Sequence, residues 1–389
     1  MTETTVQEVG LSASHSVPHP LRDQAVVVMP YTQGLRAHAS HHERLTHAQI
    51  ARRLAHIKGC GLAEELPQAL WMQRAYLIPC ETLVSRVAYG MGVFGEDDLF
   101  GGVVPHPFVA TKAITHPLVS PTAAAPEGWT DTFPREVTSA VLPGYTAFNR
   151  QNAAEAGQKL LALGPVRIKP ATETGGHGQT IAHDLAELTR CLAALTDDSV
   201  HGGVVLEQNL AQVTTLSVGQ VRVGGIVASY HGRQNLTRDN TGAVAYGGSD
   251  LTVVRGDFEA LLATLPPGPE RTAVDQALVY DTAASRCFDG FFASRVNYDV
   301  AQGLDADGEW RSGVLEQSWR VGGASGAEVA ALEAFHADPG LHAVKARCVE
   351  VFGALQPPPP SAVVYFQGED PEVGLLTKYA LVYSDGDEA

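Results

Sequence analysis

The sequence predicts an α+β fold. Two patterns carry that reading. Short apolar strands alternate with helices at the start of the chain, and later strands cluster as hairpins between helices, unlike one doubly wound sheet. The composition permits it: of 389 residues, 44% are hydrophobic and 18% charged, enough to bury cores in two or three packed units.

Each element has a local reason. Residues 1–22 carry Ser, His and Pro without periodicity and read as a loose tail. Residues 24–29 (QAVVVM) are an apolar, β-branched run, hence a buried strand. Ser40 and Glu43 form a capping box, and the helix they open stops at Gly59. A second strand over 75–79 leads into a helix from Glu81, so residues 23–100 read as a small α/β, Rossmann-like domain with a parallel sheet. Residues 101–147 are rich in Pro and Gly and read as a loop-rich connector with one helix before Val141.

From Asn149 the pattern sharpens. A helix ends at Gly164, PVRIKP is a strand, ETGGHGQ a glycine loop, DLAELTRCLAAL a helix and GGVVLEQNL a strand. Two more strands join at Gly224 and Gly225. Strands over 295–301 and 312–317, with Asp307 and Gly308 between them, give a hairpin signal. The expected units are 148–235, a small lid subdomain, and 236–389, a C-terminal subdomain in which the prolines at 357–360 space off a strand-like AVVYF.

Charge and cysteine usage exclude several functions. A formal net charge of −16 repels nucleic-acid backbones and anionic membranes. The five cysteines are scattered and form no C-x-x-C pair, against a disulfide framework or a cysteine zinc site. No basic segment followed by an apolar run opens the chain, and no stretch approaches the ~20 apolar residues of a membrane span. The expectation is a cytoplasmic protein without nucleic-acid or membrane partners. A homodimer is the default assembly for such a chain.

Three features carry chemistry. In the first, Lys169 lies on a strand just before Gly175, Gly176, His177 and Gly178; small residues let backbone N–H groups approach phosphate oxygens, and the lysine adds a point charge. The loop fits neither the Walker A pattern nor G-x-G-x-x-G. In the second, the apolar strand VVLEQNL ends on Glu207 and Gln208, a hinge able to hydrogen-bond an adenine edge. In the third, Asp299 and Glu316 sit on the two strands of the later hairpin, where facing carboxylates repel unless a cation lies between them. Magnesium with ATP phosphates suits that oxygen-only donor set. Arg320 follows, able to take a carboxylate or phosphoryl group bidentately, and Gly322, Gly323, Ser325 and Gly326 open a helix whose N-terminus welcomes an anion.

Taken in order, these pieces (RIKPATETGGHGQ, VLEQNL and NYDV…VLEQSWR) resemble the ATP-grasp superfamily over residues 141–328. Along nearly the whole chain, runs such as GEDDLFGGVVPHPFVATKAITHPL and LEQSWRVGGASGAE also resemble a bacterial ATP-grasp-like family of unknown function. The resemblance implies two α+β subdomains clasping ATP behind the N-terminal domain. Lys169 and the earlier Lys112 would contact phosphates; Gly175, Gly176, His177 and Gly178 would form a mobile lid loop; Glu207, with the backbone of Gln208 and Leu210, would read adenine. Asp299 and Glu316 would hold magnesium, with Ser318 where the superfamily often has asparagine and Asn297 the substitute for Asp299 in another register.

The implied chemistry is ADP-forming ligation of a small carboxylate to an amine through an acyl phosphate. Arg320 and Arg295 would stabilise the transferring phosphoryl group, and Arg233 or Arg238 would reach in from the lid side. A phosphotransferase and a non-catalytic nucleotide-binding interaction protein are the alternatives. Outside this set, His38, His41, His42 and His47 lie on or before one capped helix, with neighbours on different faces, and make a poor metal site. The run Gly247–Gly248–Ser249–Asp250 reads first as a turn between strands and second as a small-ligand loop.

Overall fold

The computed structural model describes residues 25–29, 39–62, 75–173, 178–353, 355 and 357–383. At the start, β1 (Ala25–Met29) pairs in parallel with β2 (Gly61–Leu62) and with β3 (Ala75–Pro79). The helix between them, α1 (His41–Lys58), begins on the capping box expected from sequence. Ser40 Oγ accepts from the Glu43 N–H at 3.3 Å, and the Ser40 N–H donates to the Glu43 carboxylate at 2.9 Å. It ends on Gly59 at φ 65°, the left-handed cap that glycine adopts without strain.

After β3 the chain makes β4 (Leu83–Val84) before α2 (Ser85–Gly90), so the expected helix starts four residues later than Glu81. The delay has a cause: residues 83–84 pair in parallel with β5 (Gly102–Val104). The loop-rich 101–147 segment is therefore stitched into the molecule. It carries short 3-10 turns, among them Lys112–Thr115, and the brief α3 (Thr132–Glu136). Phe133 and Val137 pack into the core under the large sheet.

A four-stranded antiparallel sheet follows. Its members are β6 (Gly144–Ala147), β7 (Val166–Pro170), β8 (Thr180–Ala182) and β9 (Val204–Gln208), in the order β6-β9-β7-β8. One face is covered by α4 (Arg150–Leu160) and α5 (Leu185–Ala194), with α6 (Asp197–His201) at its end. Gly157 lets α4 approach α5, because a Cβ there would meet Leu188 at 2.6 Å.

The remaining chain builds one eight-stranded antiparallel sheet, in the order β15-β14-β10-β11-β12-β16-β18-β17. Its first strands are β10 (Ala211–Val223), β11 (Ile226–Arg238) and β12 (Val244–Arg255). Then α7 (Phe258–Thr264), α8 (Pro269–Cys287) and the two-residue β13 (Phe292–Ala293), which pairs with β5, lead to β14 (Arg295–Leu304) and β15 (Trp310–Ser318). After α9 (Ser325–Ala337) come β16 (Ala343–Phe352), β17 (Val363–Asp370) and β18 (Gly374–Tyr383). One face of this sheet buries Val218, Val254, Tyr298 and Val300 against α7 and α8. The other buries Tyr230, Leu251 and Val253 with α1 and α9.

The architecture is α+β, as the strand clustering predicts. Gly224 and Gly225, at φ 58° and 80°, make the two-residue turn joining β10 to β11. Two expectations are corrected. The division between residues 235 and 236 falls inside β11, because β10 and β11 belong to the large sheet; the sheets change over between Gln208 and Ala211. The Gly247–Asp250 run is neither a turn nor a ligand loop. It lies within β12, where the register shifts opposite Asn235 and Leu236 and Gly248 takes φ 126°. Among the described residues no helix is long and apolar enough to cross a membrane.

Candidate active site

The site begins with strand alternation. On β7, Val166 and Ile168 face the helices, so Arg167 and Lys169 face the other way; on β9, Val204 and Leu206 face the helices, leaving Glu207 on the open face. Arg167 pairs with Glu207 and Lys169 with Val205, which sets Lys169 diagonal to Glu207. The two form an ion pair at 2% and 1% exposure. His116 completes a triad, its Nε2 3.3 Å from the second Glu207 oxygen. Gly144, opposite Glu207 on β6, makes room for that imidazole: a Cβ there would stand 2.7 Å from its ring. Burial pushes the Glu207 carboxyl up, but the Lys169 ammonium and His116 prevail and hold it down to about 2.

Lys112 is the second cation, held by a 3-10 turn whose Thr111 side chain caps the Ala113 N–H. Although 4% exposed, its ammonium lies 2.7 Å from a Glu316 oxygen and donates to the Glu173 carbonyl at 2.8 Å. It thus ties the connector, the start of the glycine loop and β15 together. Of that loop, Gly175, Gly176 and His177 lie outside the described residues; Gly178 sits in a turn at φ 68°.

The hairpin supplies the carboxylates. Asp299 and Glu316 are direct partners across β14 and β15, and the register slips just beyond them. Asp299 Oδ1 accepts from Gln234 Nε2 at 2.8 Å and from Asn297 Nδ2 at 2.9 Å. Burial first, and the Glu316 charge second, push the Asp299 carboxyl up to about 6. A half-buried carboxylate that is costly to ionise beside another carboxylate is a donor set that fits a divalent cation, with phosphate and water completing the shell. Ser318 faces Asn297 two pairs further along, on the same face, and its hydroxyl accepts from Arg295 at 3.2 Å.

Arg295 is not a free cation beside this carboxylate pair. It is 1% exposed and grips Glu328 of α9 at 2.7 Å and 3.0 Å, while Nη1 donates to the Ser318 and Arg320 carbonyls at 3.0 Å and 2.6 Å. Its surroundings are those of a clamp that fixes the turn between β15 and α9. The Tyr230 hydroxyl, 2.5 Å from Glu328 and 2.9 Å from Asn297, connects that clamp to the side chains around Asp299. Arg320 differs. It donates to the Val321 carbonyl at 2.9 Å and forms no ion pair among the described residues. Arg233 is turned to the opposite face of the sheet, 3.9 Å from Glu270.

The hinge is more occupied than its sequence implies. The Gln208 N–H donates to the Pro143 carbonyl at 2.9 Å, the Glu207 carboxylate is engaged as above, and Leu210 is packed with Leu142, Ala301 and Leu315. Two polar neighbours escape the sequence reading. His116 stands in a loop without periodicity, and Gln234 is one polar residue in a strand noted for its arginines. Neither carries a local signal; a carboxylate brought beside it by the fold is what gives each a role.

With this geometry in hand, the chain is placed among known proteins. It belongs to the family described as a protein of unknown function (DUF3182), whose model matches residues 30–380. No curated protein matches. Similar solved structures include the biotin carboxylase–β-γ-ATP complex from Campylobacter jejuni, at 10% identity over 93% of this chain and 88% of that one, with a TM-score of 0.48. They also include D-alanine–D-alanine ligase from Bacillus anthracis (11% identity, 76% and 86% coverage, TM-score 0.42) and D-alanyl-alanine synthetase A from Vibrio cholerae (8%, 78% and 90%, 0.41).

Proposed function

We propose that this family member is an ATP-grasp, magnesium-dependent, ADP-forming ligase that joins a small carboxylate to an amine. The observation that carries the reading is the convergence of two buried lysines from different units with a facing carboxylate pair. Lys169 and Lys112 are the cations for the phosphates, and Asp299 and Glu316 would hold the metal. Magnesium, when bound, supplies neutralisation of phosphate charge.

The chain's own residues do the positioning. Lys112 neutralises Glu316 in this structure. Were Glu316 to hold the metal, the Lys112 ammonium would be free for a phosphate oxygen. Lys169, fixed by Glu207, is a second preset charge, and Arg320, without an ion-pair partner among the described residues, orients the anionic acceptor. An acceptor carboxylate oxygen attacks the γ-phosphorus; the bond to the β–γ bridging oxygen breaks, and ADP leaves with that electron pair. The amine nitrogen then attacks the acyl carbon, the carbon–oxygen bond to phosphate breaks with its pair on phosphate, and the nitrogen loses a proton to solvent.

A non-catalytic nucleotide-binding protein is the second reading, favoured by the Ser318 hydroxyl being held by Arg295. Release of ADP, AMP and phosphate, measured with pooled small carboxylic acids and amines, separates the two. Amine-dependent ADP and phosphate release supports the ligase; ATP binding without turnover sinks it. A labelled phospho-product without ligation would make the protein a phosphotransferase.

A further inference from the structure

The inner face of β11 runs outward from the carboxylate pair. Gln234 touches Asp299 at 2.8 Å, Leu236 is the next residue on that face, and Arg238 the next. Two residues of strand advance roughly 7 Å, so Leu236 stands one such step beyond the residue that holds Asp299. Leu236 is 72% exposed. Its cross-strand partner on β12 is Tyr246, and Val244, paired with Arg238, is 61% exposed on the same face.

Single exposed apolar residues are ordinary. These two are diagonal neighbours across β11 and β12 on the face that carries the candidate chemistry. Tyr246 fixes their inner edge: its hydroxyl meets Ser249 Oγ at 2.7 Å, and a Cβ on Gly323 would lie 2.6 Å from its ring. Gly323 belongs to the loop that Arg320 opens, so the apolar strip abuts the loop of an arginine with no ion-pair partner among the described residues. Charge at one end and apolar surface along the strand describe one occupant.

We infer that the acceptor is a carboxylic acid with an extended apolar body. Its reacting carboxylate lies between Arg320 and Asp299, and its hydrocarbon part covers Leu236, Val244 and the Tyr246 ring. Leu236 is the specificity-determining residue. The inference rests on the ligase reading for the location of the reacting carboxylate, and it goes further by naming the substrate class. Small hydrophilic acids would leave the strip wet and gain nothing from it, whereas hydrocarbon contact adds affinity in proportion to the apolar area removed from water.

The test is equilibrium binding to the full chain at saturating magnesium and ADP, with hexanoate and 3-phenylpropanoate as apolar probes and acetate and malonate as hydrophilic ones. The apolar probes are expected to bind at least tenfold tighter than acetate. Leu236→Asp and, separately, Val244→Asp are expected to erase that difference; both positions are exposed, so a matched melting curve and ADP affinity check each fold. Equal binding of acetate and hexanoate by the parent, with ADP bound, overturns the inference and leaves the ligase reading standing. So does a preference that survives Leu236→Asp. A parent that fails to bind ADP at all overturns the ligase reading and this inference with it.

Discussion

Lys169, Glu207 and His116 illustrate how strongly a buried side chain depends on its partner. Removing one member of a buried ion pair leaves an uncompensated charge, which typically costs about 3–5 kcal/mol. Lys169→Met is therefore expected to lower stability by an amount in that range and to weaken ATP binding tenfold or more. Denaturant melts and an ATP titration of the same variant check both parts, and Lys169→Met combined with Glu207→Gln should recover part of the stability but none of the affinity. His47 makes a separate prediction. It lies 3.1 Å from the Cys80 sulfur, and burial pulls its imidazole down to about 4 against the partial opposition of Glu43. Because the folded state keeps His47 neutral while the unfolded chain takes up a proton below about 6.5, stability is whole above that pH and falls as the pH drops toward 4, by on the order of 3 kcal/mol. The raised Asp299 works in the opposite sense, losing stability as pH rises through about 6. The His47 contribution is accordingly read as the difference between parent and His47→Gln, whose profile should be flatter between pH 6.5 and 4.

At the scale of elements, the hairpin strands and the capped first helix were legible because their causes are local. A capping box, a left-handed glycine and an Asp-Gly turn act within a few residues. In the large sheet, β12, β16 and β18 were not legible, because their pairing partners are distant in sequence and the β12 alternation is interrupted by a bulge. Gly248 shows why. Read alone, it belongs to a glycine turn; in the sheet it permits close approach, since a Cβ would lie 2.0 Å from the Cys348 carbonyl oxygen. Gly248→Ala forces backbone movement as well as an unfavourable φ, so a loss of about 2 kcal/mol or more is expected in chemical denaturation. A loss below about 0.5 kcal/mol would show that β12 and β16 are not held at this register.

For the whole molecule, the relevant property is that the site closes only when separate units meet. Lys169 and Glu207 come from the four-stranded sheet, Lys112 and His116 from the connector, and Asp299 and Glu316 from the eight-stranded sheet. A ligand that bridges them stabilises the folded chain by linkage, about 2.7 kcal/mol at a hundredfold excess over its dissociation constant. ATP with magnesium is expected to raise the melting temperature by several degrees, ATP with a chelator by less, and Glu316→Gln should narrow the gap between the two. An identical rise with and without magnesium would remove the carboxylate pair from the nucleotide site.

By itself the sequence determined the class of fold, the helix and hairpin boundaries with local signals, and the order of lysine, hinge acid and carboxylate pair along the chain. Those properties follow from side-chain type and short-range spacing. Tertiary structure decided what each group faces. Arg295, which sequence placed on a transferring phosphoryl group, is enclosed by Glu328 and two carbonyls; His116 and Gln234, which carry no local pattern, meet the carboxylates of Glu207 and Asp299. The physical reason is that a charge or a hydrogen bond takes its role from the groups within a few Å of it, and here those groups come from strands and loops far apart in the chain.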